Sequence, residues 1–204
     1  MKNSLNSTLE IRDSRITNTN MLKAQDVLVV LKLASLASGE ATSFASLAES
    51  LSMSASEVFA ATRRAATSRL LTEQPSPASG VARYRPSAPN LREFLLGGLR
   101  YVFPTEPGKP ARGFCTAQNA LPLSARFNRT ANELPLVWPH ADGDTRGHAL
   151  KPLYRSAPDA ARRDPRLYAW LALADALRAG DARVRTEAAA EIEKLITELN
   201  ARVR

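Results

Sequence analysis

The side chains in this chain best suited to chemistry are arginines. Five of them, Arg63, Arg64, Arg69, Arg83 and Arg85, fall within one short stretch against a single acid, Glu73. Such a patch attracts phosphate by charge, and a guanidinium can also donate two hydrogen bonds to a guanine edge. Other reactive types are sparse. His140 and His148 stand eight residues apart in HADGDTRGH, beside Asp142 and Asp144. Metal chemistry there lacks partners: there is no HExxH, no cysteine pair, and no downstream glutamate at the spacing of a calcium loop. That stretch reads as a polar surface loop. No GxxxxGK or GxGxxG phosphate cradle occurs. Cys115 is the single cysteine, which excludes an internal disulfide framework and suits a reducing compartment. Arg112 lies near enough in sequence to lower its pKa, but an inert lone thiol is the simpler reading. Arg162-Arg163 reads as a solvated pair at a helix end. No catalytic residue, metal or cofactor is expected, and the chain is not expected to be an enzyme.

The elements that must hold the arginines can be read from apolar spacing. Phe44, Leu47, Ala48 and Leu51 recur at i, i+3, i+4 and i+7, one face of a short helix that Ser43 can cap. Ser52-Met53 is a turn. Ser54 and Glu57 then form a capping box, opening a second helix with Val58, Ala61 and Ala65 inward, joined by Phe59 and Thr62. Its outward positions are Ser56, Ala60, Arg63, Arg64 and Thr67. Leu71–Gln74 and Ala82–Arg85 are extended runs around Pro75-Ser76-Pro77-Ala78-Ser79-Gly80, which reads as a hairpin. Arg83 and Arg85 alternate with Tyr84 and so share one face of it. Ahead of all this, Gln25–Ala37 is apolar on most sides, and Ser38-Gly39 is a stop. It is too short, and too interrupted by Asp26 and Lys32, to cross a membrane.

On these residues, 24–86 resemble the winged helix-turn-helix domain of bacterial transcriptional regulators, broadly the MarR-like type. The FASLAESLSMSASEV segment, the closing RLL and the Pro/Gly-tipped hairpin carry the resemblance. It implies that Ser54, Ser56, Arg63 and Arg64, with the outward Thr67, lie on a recognition helix over about 54–68. It places Arg83 and Arg85 on a wing over about 72–86. The implied partner is double-stranded DNA, with the helix in the major groove and the wing on the backbone or in the minor groove. A homodimeric repressor is the expected form. The other class is a protein-interaction module, such as an antitoxin or assembly factor, that uses the winged helix as a scaffold. Beyond the wing the chain departs from the family's long dimerisation helices and turns rich in proline and glycine.

The rest of the chain sets bounds. The 204 residues carry a net charge of +8, compatible with a nucleic-acid partner. Aromatics are 6%, too few to favour stacking on single strands over duplex binding. Residues 1–20 are polar, lack the apolar core of a signal peptide, and read as a flexible arm, so a cytoplasmic protein is expected. Residues 21–89 form the expected DNA-binding domain. Residues 90–156 comprise a helix over Asn90–Val102, running across Gly97-Gly98, and an irregular Pro/Gly-rich segment anchored by residues such as Phe114, Leu123, Val137 and Trp138. Residues 157–204 form a C-terminal helical pair. Asp164-Pro165 opens the first helix and Asp181 caps the second, which has Val184, Ala188, Ile192, Leu195 and Leu199 on a face that could pair with a second copy. The expected class is mainly α with a small β-hairpin.

Overall fold

The apolar run after Lys23 forms α1 (Ala24–Ser35), in which Val27 through Leu31 are wholly buried. The computed structural model describes residues 21–37, 43–74, 84–127 and 133–202. The stop at Ser38-Gly39, the hairpin tip, Arg83 and the N-terminal arm therefore lie outside the described residues. α3 (Ala55–Thr67) packs across α1, and α2 (Phe44–Leu51) packs against α3. Ser52 ends α2 in the left-handed region, with φ 51°. After α3 come β1 (Leu71–Glu73) and β2 (Tyr84–Pro86), paired antiparallel with Thr72 opposite Arg85. Leu71, Tyr84 and Pro86 face the core, while Thr72 and Arg85 face out. A one-residue slip would reverse that arrangement, so burial pins the register.

One helical stretch follows, in three parts: α4 (Ala88–Glu93), a π-helical turn (Phe94–Gly98) and α5 (Leu99–Val102). It crosses Gly97-Gly98 as expected, and the wide turn falls where two glycines weaken helical preference.

The segment expected to be irregular contains three strands: β3 (Pro110–Cys115), β4 (Leu136–Pro139) and β5 (Thr145–Ala149). β3 runs antiparallel to both others, and β4 and β5 pair in parallel, so the three close on themselves. Proline and glycine disguise them. Pro110 and Pro139 occupy strand ends, where a missing N–H is tolerated. Gly113 and Gly147 sit inside strands because the walls are too close for a side chain. A Cβ at Gly113 would overlap the Trp138 carbonyl, and one at Gly147 the Pro135 carbonyl.

The C-terminal part is helical: α6 (Ala157–Arg163), α7 (Pro165–Ala179) and α8 (Ala182–Ala201). α7 is buried continuously from Trp170 to Leu177 and packs on α1, α5, α6 and α8. The inward face of α8 is Val184, Ala188, Ile192, Ile196 and Leu199, so Ile196 takes the place expected of Leu195, which is only partly buried. That face belongs to one apolar cluster running from α1 to α8, and is not left free for a second copy. Among the described residues no helix is long and apolar enough to cross a membrane.

Asp164 ties the two ends of the fold together. Oδ1 accepts from the Arg166 and Leu167 N–H groups, each at 3.0 Å, capping α7. Oδ2 accepts from Lys32 Nζ at 2.8 Å and Ser35 Oγ at 3.0 Å, both on α1. Burial pushes this carboxyl up, but Lys32, the Leu167 N–H and Ser35 outweigh it and hold it below its ordinary value. Its stabilisation is present above the unfolded value of about 3.9 and is lost as pH falls through the lower folded value. Asp164→Asn is expected to flatten the acid limb of the stability–pH curve, and Asp164→Ala to cost about 1–2 kcal/mol by urea unfolding at neutral pH.

Candidate nucleic-acid interface

α3 divides cleanly into two faces. Val58, Ala61, Thr62 and Ala65 are buried. The opposite stripe is Ser56, Ala60, Arg63 and Thr67, at i, i+4, i+7 and i+11. Ser56, Arg63 and Thr67 are exposed. Arg63 has no side-chain partner among the described residues, while the Thr67 hydroxyl donates to the Arg63 carbonyl at 3.1 Å. Small side chains on either side of Arg63 let an opposing surface approach closely.

Ser54 opens the helix as its spacing requires. Its hydroxyl accepts from the Glu57 N–H at 3.2 Å, and its own N–H donates to Glu57 Oε2 at 2.9 Å. Its hydroxyl also lies 3.1 Å from that of Ser56. The Ser54 side chain is thus engaged in the cap, while Ser56 remains at the surface. The Ser54 bonds, followed by weaker help from the Tyr154 hydroxyl and Arg155, outweigh burial and hold the Glu57 carboxyl below its ordinary value.

Arg64 does not belong to the outward stripe. Its Nε donates to Asp26 Oδ2 at 2.9 Å and its Nη2 to Oδ1 at 2.6 Å, a two-pronged bond to a fully buried carboxylate on α1. Asp26 Oδ2 also accepts the Lys23 N–H at 2.8 Å. The expectation of a DNA contact is corrected: the Asp26 carboxylate would be an unpaired buried charge without this guanidinium, so Arg64 is drawn into the packing between α1 and α3. The Asp26 bond pushes the guanidinium pKa further up, against the opposing effect of burial.

Phe59 also departs from expectation. It is 50% exposed, edge-on to Phe44 with ring centroids 5.4 Å apart. It lies on the flank of the arginine stripe and not in the core. On the strand pair, Arg85 is exposed and its carbonyl accepts from the Thr72 hydroxyl at 3.3 Å. Arg83, expected beside it, lies outside the described residues. Arg69 is a further exposed cation, held at φ 59° where the chain leaves α3.

The histidines are elsewhere. His140 Nε2 lies 3.0 Å from Asp159 Oδ1, and its Nδ1 accepts the Asp142 N–H at 3.0 Å. His148 Nδ1 lies 3.1 Å from the Gly108 carbonyl. No group of three or more His, Cys, Asp or Glu residues able to hold a metal occurs among the described residues. Arg112 Nε donates to the Gly143 carbonyl, which engages the cation expected near Cys115. Cys115 is partly buried, and its carbonyl accepts the Tyr168 hydroxyl.

Two further side chains reach α3 from much later in the chain. The Tyr154 hydroxyl donates to Glu57 Oε1 at 3.2 Å, and Arg155 Nη2 lies 3.9 Å from the same oxygen. Nothing in local spacing marks them, because about a hundred residues separate them from α3. Comparison with protein-family models, curated proteins and solved structures found no match to this chain.

Proposed function

We propose that this protein is a double-stranded DNA-binding regulator that reads sequence by placing α3 in the major groove, with the β1–β2 pair on the adjacent backbone. The observation that carries the reading is the outward stripe of Ser56, Ala60, Arg63 and Thr67, with Ser56, Arg63 and Thr67 exposed, on a helix whose opposite face is buried. A major groove about 12 Å wide admits such a helix, and an exposed arginine near its centre can reach guanine O6 and N7. Exposed Arg69 and Arg85 supply cations next to it for phosphate. A dimer reading two half-sites would need an interface other than the buried face of α8.

Arg63→Ala is expected to weaken duplex binding about 10- to 100-fold, the usual weight of a bidentate base contact. Because the side chain is exposed and has no side-chain partner among the described residues, thermal stability should change little. Fluorescence anisotropy on a labelled duplex and a melting curve on the same samples read both. Unchanged binding in a folded variant would contradict the proposal. One observation favours the alternative of a protein-binding module: Phe59 and Phe44 give the flank of the same face an apolar edge. Under that reading Arg63→Ala leaves duplex affinity untouched.

A further inference from the structure

The turn between α2 and α3 is bracketed by two arginines that come from the C-terminal third of the chain. On one side Arg163 Nη2 donates to Ser52 Oγ at 2.7 Å and to the Ser50 carbonyl at 3.2 Å. On the other, Arg155 stands over the first turn of α3, 3.9 Å from Glu57, with its side chain 79% exposed. α6 packs against α2 and carries Arg163 there. Neither arginine lies in residues 24–86, where the basic patch is visible from sequence.

Their placement has an electrostatic consequence. Glu57 is needed for the cap of α3, yet it puts a negative charge where a phosphate backbone would approach. Arg155, with the Tyr154 hydroxyl on the same carboxylate, offsets it. Glu49 and Asp164 are further acids near the turn; they line one cleft with Lys32 and Arg163, and Asp164 is already engaged by Lys32. Exposed cations therefore flank α3 at both ends: Arg69 and Arg85 after its last turn, Arg155 and Arg163 before its first.

We infer that Arg155 and Arg163 form a second backbone clamp, contacting phosphates on the side of the groove opposite the β1–β2 pair. The C-terminal third is thereby part of the DNA-binding surface and not an appendage to it. The inference rests on the DNA reading proposed above and extends it to residues outside the helix-turn-helix. These contacts carry no base information, so they should act on every duplex alike. Each phosphate contact adds about 0.9 to the slope of log affinity against log salt.

The test uses the full chain and a random-sequence duplex of about 25 base pairs, two to three helical turns, titrated over a range of potassium chloride. Arg155→Ala and Arg163→Gln, the latter keeping a donor for Ser52, are compared with Arg63→Ala. The double variant is expected to lower the salt slope by about 2 and Arg155→Ala alone by about 1. If Arg163→Gln melts early, Arg155→Ala decides, since its exposed side chain can be removed without disturbing the fold. An unchanged slope in Arg155→Ala, while the unsubstituted protein binds the duplex, overturns the clamp and leaves the DNA reading standing. Failure of the unsubstituted protein to bind any duplex overturns both.

Discussion

Arg64→Ala is expected to cost about 3–5 kcal/mol of folding stability, the usual penalty for removing one partner of a buried ion pair. The substitution would leave the Asp26 carboxylate fully buried, with only the Lys23 N–H among the hydrogen bonds it now accepts. The cost comes from the stranded charge more than from the lost attraction. Replacing both partners with apolar residues, as in Asp26→Leu with Arg64→Met, should therefore recover most of the loss. Urea unfolding at constant m-value reads both variants. A loss below about 1 kcal/mol for Arg64→Ala would contradict the account of this pair. The result also bears on function. Arg63 and Arg64 are neighbours in sequence, but removing Arg64 would mix lost stability with any change in binding. Arg63 alone is the clean probe of the outward face.

Asp175→Ala should be as damaging, for a related reason. One carboxylate on α7 organises the attachment of the three-stranded sheet. Asp175 accepts from the Trp138 indole at 2.5 Å, the Thr116 hydroxyl at 2.9 Å and Arg178 Nη1 at 2.6 Å. Arg178 is itself buried and reaches the Phe103 carbonyl through Nε at 2.7 Å. Burial pushes the Asp175 carboxyl up despite these partners. The charged pair is thus a poor net source of stability, yet taking away only the acceptor strands a guanidinium, an indole N–H and a hydroxyl together. The expected cost is about 3–5 kcal/mol. Asp175→Asn keeps one acceptor oxygen and should lose less. Thermal unfolding followed by tryptophan fluorescence measures the order. Equal losses for Ala and Asn would mean that the hydrogen bonds are not what holds the sheet.

The parts of the fold legible in sequence are those governed by local rules. Ser43, Ser54, Asp164 and Asp181 each cap the helix that their spacing marks. The alternation of Arg85 with Tyr84 is likewise readable: Tyr84 is buried and Arg85 exposed. Two things were hidden. The three-stranded sheet was masked because close strand packing demands glycine at 113 and 147, and glycine otherwise signals a loop. Charge partners were hidden because they are distant in sequence: Arg64 meets Asp26, Asp164 meets Lys32, and Arg155 meets Glu57. An arginine on a helix looks outward until its partner is known. Of the candidate residues, Ser56, Arg63, Thr67 and Arg85 are at the surface, Ser54 is occupied in a cap, and Arg64 faces inward.

On the proposed function, α3 reads duplex sequence through Arg63 and its neighbours. Selection of bound duplexes from a random pool by the full chain tests it most directly, with the Arg63→Ala protein run in parallel. The expected result is enrichment of one sequence motif containing a guanine whose preference relaxes in the Arg63→Ala selection. A pool that stays random with the unsubstituted protein, or a motif identical in both selections, would contradict it.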